Sequence, residues 1–219
     1  MSAADPRRAL PRGPHGLSRE EVELSQRARL LQAATEAVAE QGYVKTTVAD
    51  ILARAGVSRA TFYQLFRDKE DCFVAAYQLN AHFVAAVMVA ELDQVRASGG
   101  LDPLERLDHV LQVFLAALRA APALARVFLV EVYAAGPAAI EQRRVSMERF
   151  AEIVAETHRG ERGVLGTAPS QRFAAQAFVG AVSALVTNAV GVGETEELPH
   201  LRQPLMQLAA QITQKQPPK

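Results

Sequence analysis

The chain has 219 residues, 49% of them apolar and only 6% aromatic, with no Trp; it is long enough for one or two cored domains and too apolar to be disordered. Its 24 Lys and Arg balance 24 Asp and Glu, so no global attraction to polyanions exists and any contact with nucleic acid must come from local placement. The single Cys72 excludes an intramolecular disulfide and reads as a small buried hydrophobe.

Residues 1–16 carry three prolines, two glycines and four charged side chains, the pattern of a disordered arm. Arg7, Arg8 and Arg12 have no apolar run behind them, which argues against a secretory signal. Ser18 and Glu21 form a capping box that opens a helix running to about Gln41, with Leu24, Leu30, Leu31, Ala34, Ala37 and Val38 on its packed side. Arg27 and Arg29 near its start read as solvated surface. From Thr46 to Asp71 two short helices follow, joined by a tight turn, with a third starting at once. Thr47 is the first N-cap, with Val48, Ile51 and Leu52 as the apolar stripe. Gly56 ends that helix, Val57 plugs the turn and Ser58 caps the next. Phe62, Leu65 and Phe66 face inward in the second helix, while Ser58, Arg59, Thr61, Tyr63 and Gln64 fall largely outside.

A long helix is expected from about Asp71 to Ala97, ended by Ser98-Gly99-Gly100. Asp102-Pro103 starts another, with Leu107, Val110, Leu111, Phe114, Leu115 and Leu118 on its apolar side, and Pro122 breaks it. A short helix with Val127, Phe128, Val130 and Tyr133 precedes the break at Gly136-Pro137. Residues 138–158 suit an amphipathic helix, and Gly160 to Ala168 a loop. Pro169-Ser170 opens a helix to about Val190 that is apolar almost all round, so it must be covered on more than one side. A closing helix runs from Leu198 to about Ile212, with Pro204 implying a late start or a kink. No run approaches ~20 uninterrupted apolar residues, so no membrane partner is expected. The class is all-α, in about nine helices.

The string from Gly42 onward carries more than a helical pattern. Gly42-Tyr43, Thr46-Thr47-Val48, Ile51, Ala55-Gly56-Val57-Ser58, Thr61-Phe62-Tyr63, Phe66 and Lys69-Glu70 together resemble the DNA-binding module of the TetR family of bacterial transcriptional regulators. The close match covers roughly residues 25–75; the remainder agrees in length and helical character. After the arm over 1–16 that composition marks, the resemblance implies a helix-turn-helix DNA-binding domain over 17–70 and a helical effector-binding and dimerisation domain over 71–215. Leu65 departs from it, standing where many members carry a histidine that contacts the DNA backbone. Residues 1–75 hold 11 basic against 10 acidic side chains, so attraction to DNA must rest on Arg59 and Lys69 pointing outward.

A short helix with such an outer face suits the major groove. Thr47 lies at a helix N-terminus that favours a phosphate, and Tyr63 and Lys69 resemble the family's phosphate-contacting positions. Arg59, Thr61, Ser58 and Gln64 are candidates for base edges. The resemblance further implies a homodimer on a double-stranded DNA operator, with an interface built from Phe178, Val182, Leu185, Leu201, Leu205 and Leu208. It implies a small-molecule effector, mainly apolar, and polar residues within apolar faces mark its pocket: Tyr77, His82, His109, Gln112, Arg126, Glu131, Tyr133 and Asn188. No catalytic constellation, metal ligand set or cofactor motif occurs, so a cytoplasmic repressor released by its ligand is expected, not an enzyme. The competing reading is a helical ligand-binding or interaction protein that no longer binds DNA, motivated by the neutral charge and Leu65.

Overall fold

The computed structural model describes residues 18–99, 101–158 and 169–214, and those residues are helical almost throughout. In chain order the helices are α1 (Arg19–Gln41), α2 (Val48–Ala55), α3 (Arg59–Leu65), α4 (Lys69–Ser98), α5 (Pro103–Ala120), α6 (Pro122–Leu129), α7 (Pro137–Glu156), α8 (Pro169–Val192) and α9 (Arg202–Gln214). Short 3-10 helices span Glu131–Ala134 and Thr195–Leu201. The expected arm over 1–16 and the loop over 160–168 lie outside the described residues.

Local chemistry fixes most boundaries. Ser18 and Glu21, Thr47 and Asp50, and Asp102 and Glu105 each complete a reciprocal capping box, while Ser58 and Asp68 accept the first free N–H groups of α3 and α4. Gly56 closes α2 in the left-handed region (φ 60°), which a side chain would resist. The last helix departs from expectation. Pro199 holds Thr195–Leu201 in a 3-10 turn, so α9 begins at Arg202 and not at Leu198. Pro204 then falls in the first turn of α9, where its missing N–H costs nothing.

The first core joins α1, α2, α3 and the start of α4 through Leu30, Ile51, Phe62, Phe66 and Cys72. Leu24, expected on the packed side of α1, is 60% exposed, because α1 begins more than a turn before its partners do. A second core at the joint between this head and the rest gathers Val38, Tyr43, Phe73, Tyr77, Val127 and Val132. The body core packs α5, α6, α7, α8 and α9 around Leu111, Leu115, Phe178, Val186 and Leu205. Helix α4 runs from the first core into the body, lying against α1, α5 and α7. By length and hydropathy alone, α4 and Arg172–Val192 could each cross a bilayer. Here α4 lies against α1, α5 and α7 but leaves Leu79 and Phe83 exposed, and α8 likewise keeps an apolar side uncovered.

Cys72 is fully buried at the start of α4, and burial pushes its thiol pKa up to about 12. The native protein is therefore expected to leave Ellman's reagent unreacted near pH 8 and to react stoichiometrically once unfolded in urea; fast native labelling would contradict this packing.

Candidate nucleic-acid interface and ligand cavity

Helix α3 is short, and its placement follows from two aromatic anchors. Phe62 is fully buried and Phe66 nearly so, their rings 5.7 Å apart, and Tyr63 packs edge-on against Phe62 at 5.3 Å. This pins the inner face and leaves Ser58, Arg59, Tyr63 and Gln64 exposed along one side. Thr61 is half-buried, its hydroxyl 2.9 Å from the Ser58 hydroxyl, which also accepts the Thr61 N–H. Those two hydroxyls therefore serve the cap before anything else. Leu65 packs against the head core, so it is a wedge under α3 and not a surface contact.

Thr47 is exposed, but its hydroxyl donates to Asp50 at 2.7 Å, and Asp50 also accepts the Thr47 N–H. These bonds hold the Asp50 carboxyl below its ordinary range. A negative charge thus already sits at the N-terminus of α2, against the phosphate expected there. Lys45, exposed in the turn just ahead, was not singled out by the sequence pattern.

Lys69 does not point outward as expected. Its ammonium donates to the carbonyls of Tyr43 (2.9 Å) and Thr46 (2.8 Å) and lies 4.0 Å over the Tyr43 ring. Burial lowers its pKa, so it is a strut across the α1–α2 turn. Arg29 and Arg27 also turn inward and are not solvated surface. Arg29 donates to the Ala55 carbonyl at 2.9 Å, satisfying the C-terminus of α2, and Arg27 stacks on Phe66 at 4.8 Å.

The Tyr43 turn is also tied to the body. Its backbone N–H donates to Glu131 at 2.9 Å, and Glu131 pairs with Arg126. In return, Glu70 at the start of α4 accepts the Ala138 N–H at the start of α7. Gly136 (φ 108°) lets that approach happen, since a Cβ there would meet the Glu70 carboxylate at 2.5 Å. The Tyr43 hydroxyl pKa rises to about 12, chiefly through burial and then through Glu70 and Asp68.

In the body, α4, α5, α7 and α8 enclose a cavity of about 80 Å³, lined by groups such as Val84, Leu107, Phe114, Phe150 and Val182. Its polar lining is Tyr77, Arg143 and Ser183. Of the residues expected to mark a pocket, Tyr77 alone lines this cavity. Tyr133 and Asn188 line a groove outside it between α7 and α8. His82 is exposed and bonded to the Gln78 carbonyl, His109 is exposed beside Glu91, and Gln112 is exposed. Arg126 and Glu131 are spent on the joint. Sequence reading failed here because an apolar stripe locates a helix face without showing which helix covers it. Arg143 was missed although it keeps register with Ala139, Met147 and Phe150 on the inner stripe of α7.

The expected dimer contacts also divide. Phe178, Val182 and Leu205 are buried in the body core, so they cannot meet a partner. Leu201 and Leu208 are half-buried and Leu185 is 41% exposed. The uncovered side of α8 is Phe173, Ala177, Gly180, Ala184, Leu185 and Val192, broken by the polar Asn188, while α9 turns Gln203, Gln207 and Gln211 outward.

Residues 30–76 match the sequence profile of the bacterial regulatory proteins, tetR family. The Transcriptional regulator AcuR of Cereibacter sphaeroides is 35% identical over 102 residues, an alignment taking in 47% of this chain and 42% of that protein. This chain therefore matches less than half of that relative's length. Among solved structures, the fatty acid degradation regulator FadR from Bacillus halodurans aligns with TM-score 0.68 and 23% identity over 84% of this chain and 93% of that one. FadR from Bacillus subtilis, solved in complex with stearoyl-CoA, aligns with TM-score 0.70 and 21% identity over 84% and 96%. A TetR transcriptional regulator from Rhodococcus sp. RHA1 gives TM-score 0.64 and 18% identity over 89% and 100%. At these identities the structural matches speak for the fold.

Replacing Lys69 by Met would take the ammonium from both carbonyls, leaving that of Tyr43 with the Thr46 N–H alone. The expected cost is about 1–3 kcal/mol of stability in urea denaturation, independent of any DNA. An unchanged midpoint would show that the ammonium is not a strut.

Proposed function

We propose that this chain is a sequence-specific transcriptional regulator of double-stranded DNA of the tetR type, whose profile residues 30–76 match. The observation that carries the reading is α3: two buried aromatic anchors beneath it and an outer side of Arg59, Tyr63 and Gln64. A helix of this size fits the major groove, with Arg59 and Gln64 reaching base edges and Tyr63 a phosphate. Ser58 and Thr61 fix the start of the helix and meet the duplex only at its entry. Lys69 acts indirectly, by holding the turn that sets α2 and α3. The site of action is the cytoplasm, where the DNA lies, and no chemical reaction is assigned to the protein.

Two copies work together. The uncovered side of α8 is apolar with small residues at Ala177, Gly180 and Ala184, so a second α8 can approach closely across a two-fold axis. Each dimer then presents two α3 helices to half-sites ~34–36 Å apart. The ligand enters the apolar cavity, and the FadR neighbour solved with stearoyl-CoA supports a ligand with a long apolar part. Repression with release by the ligand follows if the ligand prefers the body conformation that misplaces α3. The joint at Tyr43, Glu131 and Glu70 is where body and head would exchange that strain.

Selection of bound fragments from random duplexes gives the first test. Arg59→Ala is expected to relax base preference by about 1–3 kcal/mol at one position of each half-site. Tyr63→Phe is expected to weaken binding to all sequences alike; identical profiles for both variants would contradict the division of roles. Leu185→Glu should give a monomer in analytical ultracentrifugation and abolish binding to the two-fold site, whereas a dimer that still binds would move the interface elsewhere. A flat dependence on salt with no enriched sequence would favour a ligand-binding protein that has lost its DNA.

A further inference from the structure

Arg143 has an environment unlike that of the other arginines of α7. Arg144 is held by Glu141 and Glu148, and Arg149 by Glu152. Arg143 instead donates to the Tyr133 hydroxyl (2.9 Å) and the Ser183 hydroxyl (2.6 Å), and its guanidinium lies 5.1 Å from the centre of the Tyr133 ring. Among the described residues no carboxylate pairs with it. It is half-buried, on the wall between the apolar cavity and the groove outside, and lines both, as do Met147, Val179 and Ser183. A permanent positive charge held by two neutral hydroxyls at the edge of an apolar space is an electrostatic vacancy for an anion.

Building on the ligand-responsive reading above, we propose that the ligand is an anionic amphipath: an apolar chain fills the cavity, and its carboxylate or phosphate takes Arg143 from Tyr133 and Ser183. The guanidinium presents a planar fork that either anion can accept, and the Ser183 hydroxyl can turn to donate to the same oxygens. The chain must widen the cavity, since about 80 Å³ is far below the ~300–1,000 Å³ of ligand pockets. Met88 and Met147 in the wall are the side chains best able to move aside. The outer groove is about 660 Å³ in the single chain, and because Gly180 and Ala184 also line it, a head larger than a carboxylate would sit there beside the partner's α8. Anion capture also has a structural consequence. Tyr133 belongs to the Glu131–Ala134 3-10 helix whose Glu131 holds the Tyr43 N–H, so releasing Tyr133 loosens the element that grips the head.

The test is calorimetric titration of the full chain with hexanoate, decanoate and palmitate, the matching primary alcohols, and the matching acyl-CoA thioesters. At least one anionic series is expected to bind about tenfold or more tighter than the alcohol of equal length. Preference for free acid or thioester identifies the anion as carboxylate or phosphate. In Arg143→Met that advantage should vanish while alcohol binding persists, and Arg143→Lys should restore part of it; thermal unfolding of each variant controls for folding. Equal affinity of acids, thioesters and alcohols, or an advantage that survives in Arg143→Met, overturns the anionic head while leaving an apolar ligand intact. If no chain of any kind binds, both this proposal and the ligand reading of the cavity fall.

Discussion

The fold depends most on how a single turn is held. Tyr43 follows the end of α1, and three side chains fix it. Glu131 accepts its N–H, Lys69 donates to its carbonyl and covers its ring, and Phe73 packs edge-on against that ring at 5.1 Å. The turn leads directly into Thr46 and the Thr47 cap, so its position sets α2 and, through Ile51 and Phe62, α3. Because the anchoring groups come from α4 and from the 3-10 helix after α6, the head cannot shift without disturbing the body. Hydrogen bonds to charged partners in a half-buried place are worth more than exposed ones, and losing one leaves a polar group stranded.

That constraint gives physical content to regulation. Coupling between two sites needs an element with differential contacts in two states, and the 3-10 helix at Glu131–Ala134 has contacts in both directions. Tyr133 reaches Arg143 at the cavity wall, and Glu131 reaches the head. Glu70 provides a second tie, running from head to body at the start of α7. A ligand that moved Arg143 or Met147 would act on α7 and on this short helix together.

The local grammar of the chain was legible. Capping residues, the helix-ending Gly56 and the apolar stripes of α2, α3 and α5 stood in the sequence because they depend on neighbours a few positions away. What could not be read were contacts between elements distant in sequence. Lys69 looked like a surface cation, but the carbonyls it serves lie 23 and 26 residues earlier. Arg29 looked solvated until α2 brought Ala55 to it. Arg143 was hidden in a charged run, although its register with Met147 and Phe150 carried a signal. Phe178 and Leu185 looked equivalent in an all-apolar helix, and only packing separates the buried side from the uncovered one.

The account's central claim is that one short helix is displayed twice at the spacing of a DNA turn. Because Cys72 is buried, a spin label can be directed to an exposed cysteine installed by Ala53→Cys on α2, off the outer face of α3. Pulsed electron-spin distance measurement on the labelled protein then reads the separation of the two heads. The expected result is a dipolar signal whose distribution narrows, to a value consistent with α3 helices ~34–36 Å apart, when a selected duplex is added. The absence of any dipolar signal, or a distribution that the duplex leaves unchanged, would contradict it.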